Sequence, residues 1–120
     1  DNRVRVECVK ALRVFGDVEA VRRRWAGEQD TIEVMVRQAT GGGEGGRLMG
    51  EILMEIVNDE SSRRVLHTWG GERILGRAFR GWRSSGTGVS GLKIEKALKL
   101  LRDLADEERE ESSEMEKGRR

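Results

Sequence analysis

Residues 90–105 read SGLKIEKALKLLRDLA and contain the clearest helical pattern in the chain. Their apolar side chains recur at helical spacing and so fall on one face: Ile94, Ala97, Leu98, Leu101, Leu104 and Ala105. Ser90 is a suitable N-cap for this helix. Basic side chains fall on the opposite face: Lys93, Lys96 and Lys99. The pattern predicts an amphipathic C-terminal helix with a buried apolar stripe.

The preceding segment, ERILGRAFRGW at residues 72–82, fits either a helix or a strand. A helical stripe is present, made of Ile74, Leu75, Ala78, Phe79 and Trp82, but Gly76 and Gly81 each weaken a helix by about 1 kcal/mol. In a helix the arginines form one continuous row: Arg73, Arg77, Arg80 and Arg83. In a strand Arg80 points away from the other three. Both alternatives stay open from the sequence.

The N-terminal half carries strand-like alternation. Val4, Val6 and Cys8 alternate with polar neighbours over residues 3–8, which is typical of a half-buried strand. Residues 31–40 alternate in the same way, with Ile32, Val34 and Val36 on one face. A short helix is expected over 17–25. A second helix is expected after the glycine-rich run 41–46, built on Leu48, Met49, Ile52, Leu53, Ile56 and Val57.

Together these elements predict a small single α+β domain, with a short antiparallel sheet packed against amphipathic helices. We place the domain at residues 1–106 and a charged, disordered acidic tail at residues 107–120. No internal repeat is evident in the sequence. The apolar content is 36% and the aromatic content 4%. These values are low for a self-sufficient core, so we expect a homodimer.

Several classes of function lack support in the composition. No apolar run approaches the length of a membrane span, and the N-terminus lacks a signal-peptide pattern. Cys8 is the only cysteine and His67 the only histidine. One thiol and one imidazole cannot supply a zinc site or a supported hydrolase triad, so we predict no metal, no cofactor and no catalytic residue. A cytoplasmic, reducing compartment fits this cysteine usage.

Two weaker patterns point to catalysis or nucleotide binding. The glycine run precedes a helix, but Arg47 and Leu48 follow it where a phosphate-binding Walker loop has Lys and Ser or Thr. A flexible connector is therefore favoured. Glu51, Glu55 and Asp59 are spaced like the carboxylates that hold magnesium in nucleases, yet they alternate with apolar residues as an ordinary solvated helix face does. A metal-dependent nuclease therefore ranks third, after nucleic-acid binding and protein interaction.

Charge is distributed very unevenly. Residues 63–102 contain ten basic and two acidic side chains, a local charge of +8, whereas the whole chain has a net charge of +1. Such a stretch is typical of a surface that binds a polyanion, most often nucleic acid. The predicted phosphate contacts are Arg64, Arg73, Arg77, Arg80, Arg83, Lys93 and Lys96. A solvated face paired with acidic segments, or an acidic protein partner, explains the same charge.

The tryptophans have two alternative roles. Exposed indoles at Trp69 and Trp82 would stack on bases, and we include both in the predicted nucleic-acid site. Buried indoles would instead complete a core that is short of aromatic residues. We expect the core role for at least two of the three tryptophans.

One stretch resembles a known family. Residues 64–72 read RVLHTWGGE, Phe79-Arg80-Gly81 follows, and Val89-Ser90-Gly91 leads into the amphipathic helix. These pieces, in this order, resemble the silencing suppressors of tombusvirus-type plant viruses, which bind double-stranded small RNA. The resemblance implies a viral homodimer whose curved sheet contacts the duplex backbone, with Arg64 and Arg80 among the contacts. It covers about forty residues.

The sequence therefore predicts non-catalytic, largely sequence-independent binding of double-stranded RNA, in keeping with suppression of RNA silencing. The alternative is a protein-interaction or assembly module that uses Trp69, Trp82 and the C-terminal helix.

Overall fold

The computed structural model describes residues 2–85 and 88–118, with side chains throughout except at residues 2, 5, 16 and 108–118. This part of the chain forms seven α-helices: α1 (Asn2–Gly16), α2 (Glu19–Ala26), α3 (Gln29–Thr40), α4 (Gly43–Asn58), α5 (Glu60–His67), α6 (Gly71–Ser85) and α7 (Gly91–Gly118). No strand occurs in the described ranges. The predicted α+β class, with its antiparallel sheet, is therefore wrong.

The first predicted strand lies within α1. Val9 is buried and Val6 packs against the core, whereas Val4 and Cys8 are exposed. Val6, Val9 and Arg13 follow the spacing of three and four residues that one helix face requires. Arg13 on this face donates to Glu51 of α4 and lies 3.6 Å from Glu55. Six alternating residues are too few to distinguish the two-residue period of a strand from the 3.6-residue period of a helix.

The second predicted strand lies within α3. Its buried residues are Ile32, Met35 and Ala39, which share one helix face. Val34 was expected beside Ile32 on an inner face, but its side chain is 46% exposed. The β-branched residues of this segment favoured a strand, and packing of the helical face overrode that preference.

The glycine-rich run forms the corner between α3 and α4. Gly42 and Gly43 have φ angles of 76° and 73°, in the left-handed region that glycine adopts without strain. A Cβ atom on Gly46 would lie 2.9 Å from the carbonyl oxygen of Ala39, so the two helices approach too closely there for any larger residue. The predicted helix after this run is confirmed, and all six apolar residues assigned to its stripe are buried in α4.

The open question about residues 72–82 is decided in favour of a helix, because α6 spans the whole segment. Leu75, Phe79 and Trp82 are buried on its inner face. The rings of Phe79 and Trp82 lie 5.2 Å apart between centroids at an angle of 51°, a tilted aromatic contact. Burial of these large side chains offsets the low helix propensity of the two glycines in the segment.

The last helix also buries its predicted stripe, including Ile94, Ala97 and Leu101. The helix α7 continues to Gly118, through residues 107–118 of the stretch expected to be a disordered tail.

The helices form two stacked units of three. The first unit is α2–α3–α4 and the second is α5–α6–α7. Each unit begins with a helix of eight residues, and the second starts at Glu60, 41 positions after Glu19. Corresponding helices contact one another across the units: α2 with α5, α3 with α6, and α4 with α7. The sequence showed no repeat, so this internal repetition is visible only in the packing.

The helix α1 occupies the place of a third helix in a preceding unit. It contacts α4 and α2, just as α4 contacts α7 and α5. Stacking of short helical units is the architecture of α-solenoids, and a 41-residue, three-helix unit lies within the range of HEAT and armadillo repeats.

Asp59 is the single residue between the two units. Its Oδ2 accepts hydrogen bonds from the hydroxyls of Ser62, at 2.5 Å, and Ser61, at 3.2 Å, and lies 3.8 Å from Nε of Arg22. Burial opposes ionisation of Asp59, but these hydrogen bonds and the Arg22 charge outweigh it and hold its pKa below the usual value. The carboxylate therefore ties the start of α5 to α2.

Candidate functional site: a cationic groove between α6 and α7

A groove of about 510 Å³ runs between α6 and α7 on the side of α6 that faces away from α3. Five basic residues line it: Arg73, Arg77, Arg80, Arg83 and Arg102. Two acidic residues, Glu72 and Glu95, also line it. Its remaining lining is small or apolar: Gly76, Leu98, Leu101 and Ala105. The groove is thus bordered by guanidinium groups over an apolar floor.

The helical conformation of α6 aligns three of these arginines. Arg73, Arg77 and Arg80 follow at spacings of four and three residues, so they occupy a strip about 60° wide on the helix. All three are exposed, while the opposite face is buried. The row is about 10 Å long, since a helix rises about 1.5 Å per residue. We call Arg73, Arg77 and Arg80 the arginine row.

The two acids of the groove contact side chains outside the arginine row. Glu95 accepts a hydrogen bond from Arg83 at 2.8 Å, which also bridges α7 to α6. Oε1 of Glu72 lies 3.1 Å from Nδ1 of His67, and its Oε2 is buried without a hydrogen-bond partner. Among the described side chains, no ion pair engages the arginine row or Arg102.

The predicted lysines lie on α7 but outside the groove. Lys93 and Lys96 are exposed. Successive steps of three residues turn by about 60° around a helix, so the basic residues of α7 wind progressively from Lys93 toward Arg102. Only Arg102 reaches the groove lining. Arg102 was not among the phosphate contacts predicted from the sequence. It follows Glu95 by seven residues and Leu98 by four, so these three residues share one face of α7.

Arg64 lies apart from this groove. It is on α5, where it forms an ion pair with Glu60 at 3.1 Å. It lines a smaller groove between α5 and α7 together with Arg63, Asp103 and Glu107. With Glu60 included, three acids and two bases line that groove, so its surface has no excess positive charge.

The tryptophans serve the core. Trp82 is only 3% exposed, and its Nε1 donates to Oγ1 of Thr40 at 3.1 Å. Trp69 is half-buried, and its Nε1 donates to the carbonyl oxygen of Ala26 at 2.7 Å. Trp25 packs against the same core. The expectation that at least two tryptophans are structural is confirmed, and neither Trp69 nor Trp82 lines the cationic groove.

The carboxylates considered for a nuclease site are occupied by arginines. Glu51 accepts hydrogen bonds from Arg13 and from Arg47, the latter at 2.9 Å. Burial raises the pKa of Glu55, while the nearby Arg13 charge acts in the opposite direction. In the described part of the chain, no three His, Cys, Asp or Glu side chains are grouped so that they could hold a metal ion.

Comparison with known proteins gives no relative, because no protein-family model, curated sequence or solved structure matches the chain. None of the described helices is both long and apolar enough to cross a membrane.

Proposed function

We propose that this protein is a non-catalytic binding module whose cationic groove holds the phosphate backbone of double-stranded RNA, largely independently of base sequence. The observation that carries the proposal is the arginine row: three exposed guanidinium groups on one helix face, unpaired among the described side chains. Contacts to phosphate oxygens position a protein on a duplex without reading its sequence.

The excess positive charge of the groove is better explained by binding of an anionic ligand than by a role in solubility. An outward-facing surface stays soluble with interspersed charges of both signs. Here the lining holds five arginines and two glutamates, of which Glu95 is paired with Arg83, so the groove keeps a net charge of +3 that is concentrated on the arginine row and Arg102. Guanidinium groups also match phosphate geometry through paired hydrogen bonds, which suits a polyanionic backbone.

The dimensions also suit a nucleic-acid strand. The arginine row extends about 10 Å, and phosphates on one strand of double-stranded DNA advance about 3.4 Å each along the axis, a spacing of the same order as in A-form RNA. About three phosphates therefore fall within reach of three guanidinium groups. No aromatic side chain lines the groove, so it offers no platform for stacking unpaired bases. The lack of an aromatic lining favours the backbone of a duplex over a single strand.

This surface differs from the one implied by the resemblance to the plant-virus suppressors. That resemblance implied a curved sheet, and no sheet is present in the described residues. The proposal therefore rests on the geometry of α6 and α7 alone.

Salt titration of a labelled RNA duplex tests the proposal. Three phosphate contacts predict a slope near −2.7 in a plot of log affinity against log salt, which is roughly a forty-fold loss between about 50 and about 200 mM salt. A DNA duplex and a polyglutamate peptide serve as the comparison ligands. Absence of RNA binding at low salt would overturn the proposal.

Two matched double variants assign the binding to the groove. The double variant Arg77→Ala with Arg80→Ala removes two members of the arginine row. It is expected to reduce the slope of log affinity against log salt by about 2 in magnitude. The control is Arg23→Ala with Arg37→Ala, which removes two exposed arginines elsewhere. Equal weakening by both pairs would show that binding follows net charge and not the groove.

The alternative, a protein-interaction module, is favoured by a different observation. Stacked helical units present extended surfaces, and Leu92 on α7 is 85% exposed. Since the indole nitrogens of Trp69 and Trp82 are engaged inside the fold, such a partner would meet α7 itself. Polyglutamate binding at least as tight as RNA binding would favour this alternative.

A further inference from the structure

A second groove, of about 470 Å³, lies between α1 and α3 and differs in chemistry from the first. Its lining includes Cys8 and Leu12 from α1 and Val34, Met35 and Gln38 from α3. Val34 is 46% exposed in this lining. Two further apolar side chains of α1, Val4 and Phe15, share the helix face of Cys8 and are 60% and 58% exposed. This end of the molecule therefore exposes the kind of surface that elsewhere in the fold is buried.

The two flanks of α3 show what such a surface contacts. On one flank, Val36 and Thr40 face α6, and Oγ1 of Thr40 accepts the hydrogen bond from Trp82. On the other flank, Thr31, Val34 and Gln38 line the open groove. In a stack, the middle helix of each unit packs between the middle helices of its neighbours. In the second unit, one flank of α6 is covered by α3. The flank of α3 that faces the groove occupies the corresponding position in the first unit.

The same position is defined independently by α1. The helix α4 is covered by α3, and α7 is covered by α6. The helix α1 occupies the position of a third helix, as α4 and α7 do in their units. By this correspondence, the surface of α1 would be covered by the middle helix of its own unit, and the described residues contain no such helix. The groove between α1 and α3 lies where that helix would pack against α1 and stack on α3.

We propose that this groove is a docking site for one amphipathic α-helix, the middle helix of a further three-helix unit stacked on α1 and α3. Its apolar face would cover Leu12 and Val34, and a basic residue at its edge would face Asp30, which lines the groove. The inference is independent of RNA binding, which uses the opposite end of the stack.

A fusion tests this directly. A copy of residues 17–43, placed before Asp1, supplies α2 and α3 followed by both glycines of the corner that joins α3 to α4. Cys8 is the only cysteine, is exposed, and lines the groove, so alkylation of its thiol reports occupancy. We expect Cys8 to react at least about tenfold more slowly in the fusion, because reaction then requires local opening. The melting temperature is expected to rise.

The control fusion carries Ile32→Ser and Met35→Ser in the added copy only, which removes its apolar face. It is expected to leave Cys8 as reactive as in the parent chain. As a second measurement, the peptide of residues 17–42 is titrated against the parent chain and should slow Cys8 alkylation in a saturable manner.

Three results would overturn the proposal. One is an unchanged Cys8 rate both in the fusion and with the peptide. Another is equal protection by the control fusion. The third is a parent chain that sediments as a dimer with Cys8 already protected, since a second copy would then be the occupant.

Discussion

The two ends of the stack use the same helical framework and expose opposite chemistry. At one end the groove between α1 and α3 is lined by Leu12 and Val34, and at the other the groove between α6 and α7 is lined by the arginine row. Both grooves lie beside the middle helix of a unit. The comparison shows that packing inside a unit does not determine what its outer flank presents.

A polar outer flank is what the terminal unit of a helical stack requires for solubility. The α6–α7 end meets this requirement, and the α1–α3 end does not. This difference in surface chemistry is in keeping with the two partners proposed above, an anionic chain at α6–α7 and an amphipathic helix at α1–α3.

The largest expected effect separates the two faces of α6. Phe79 is fully buried, so Phe79→Ala should lower the free energy of unfolding by about 3–5 kcal/mol through lost burial and a cavity. Its neighbour Arg80 is exposed, and Arg80→Ala should change stability by less than about 0.5 kcal/mol. Urea unfolding measures both. A destabilising Arg80→Ala would show that the arginine row is part of the fold and not a free surface.

An intermediate effect is expected at the junction of the units. Asp59→Ala leaves the fully buried hydroxyl of Ser62 without its acceptor and should cost about 2 kcal/mol at neutral pH. Because the folded pKa of Asp59 lies below its unfolded value, this stabilisation is present above the unfolded pKa. It is lost as the pH falls through the folded pKa.

The measurement is the difference in unfolding free energy between parent and Asp59→Ala across acidic pH. The difference should shrink as the pH falls below the ordinary range of an aspartate. A difference that stays constant at every pH would mean that the Asp59 charge contributes nothing to the junction.

The smallest effect is expected at the apolar end. Val34→Asn should change the unfolding free energy by less than about 0.5 kcal/mol, because this side chain is 46% exposed. Ile32→Ala on the same helix should cost about 2–5 kcal/mol, since Ile32 is fully buried. Thermal unfolding of the two variants compares them. A large loss with Val34→Asn would show that the groove is already filled in the parent chain.

Sequence reasoning succeeded where apolar residues recurred over several helical turns. All six residues of the predicted α4 stripe are buried, and so are five of the six predicted for α7, whose sixth residue, Ala105, is half-buried. It failed at α1 and α3, where β-branched residues in short windows alternate as they would in a strand. Only long-range contacts, such as Arg13 with Glu51, show which face of α1 is inward.

The candidate site was predicted in part. The arginines of α6 were selected from charge and spacing, and their alignment depended on a helix that the sequence left open. Arg64, Lys93 and Lys96 belong to the same charged stretch but lie away from the groove, because sequence proximity does not specify which helix flanks meet. The stacked repetition escaped detection because the two units share the order and packing of their helices more than their residue identities.

The one-residue junction at Asp59 also fixes the register of the whole assembly. Asp59 has an extended backbone, so an added residue there would change both the direction and the rotation of α5 relative to α4, and the second unit would turn with it. All three pairs of stacked helices would then lose their facing surfaces together. An insertion between α6 and α7 would disturb only that one connection. Length variation should therefore be tolerated within the second unit and excluded at the boundary between the units.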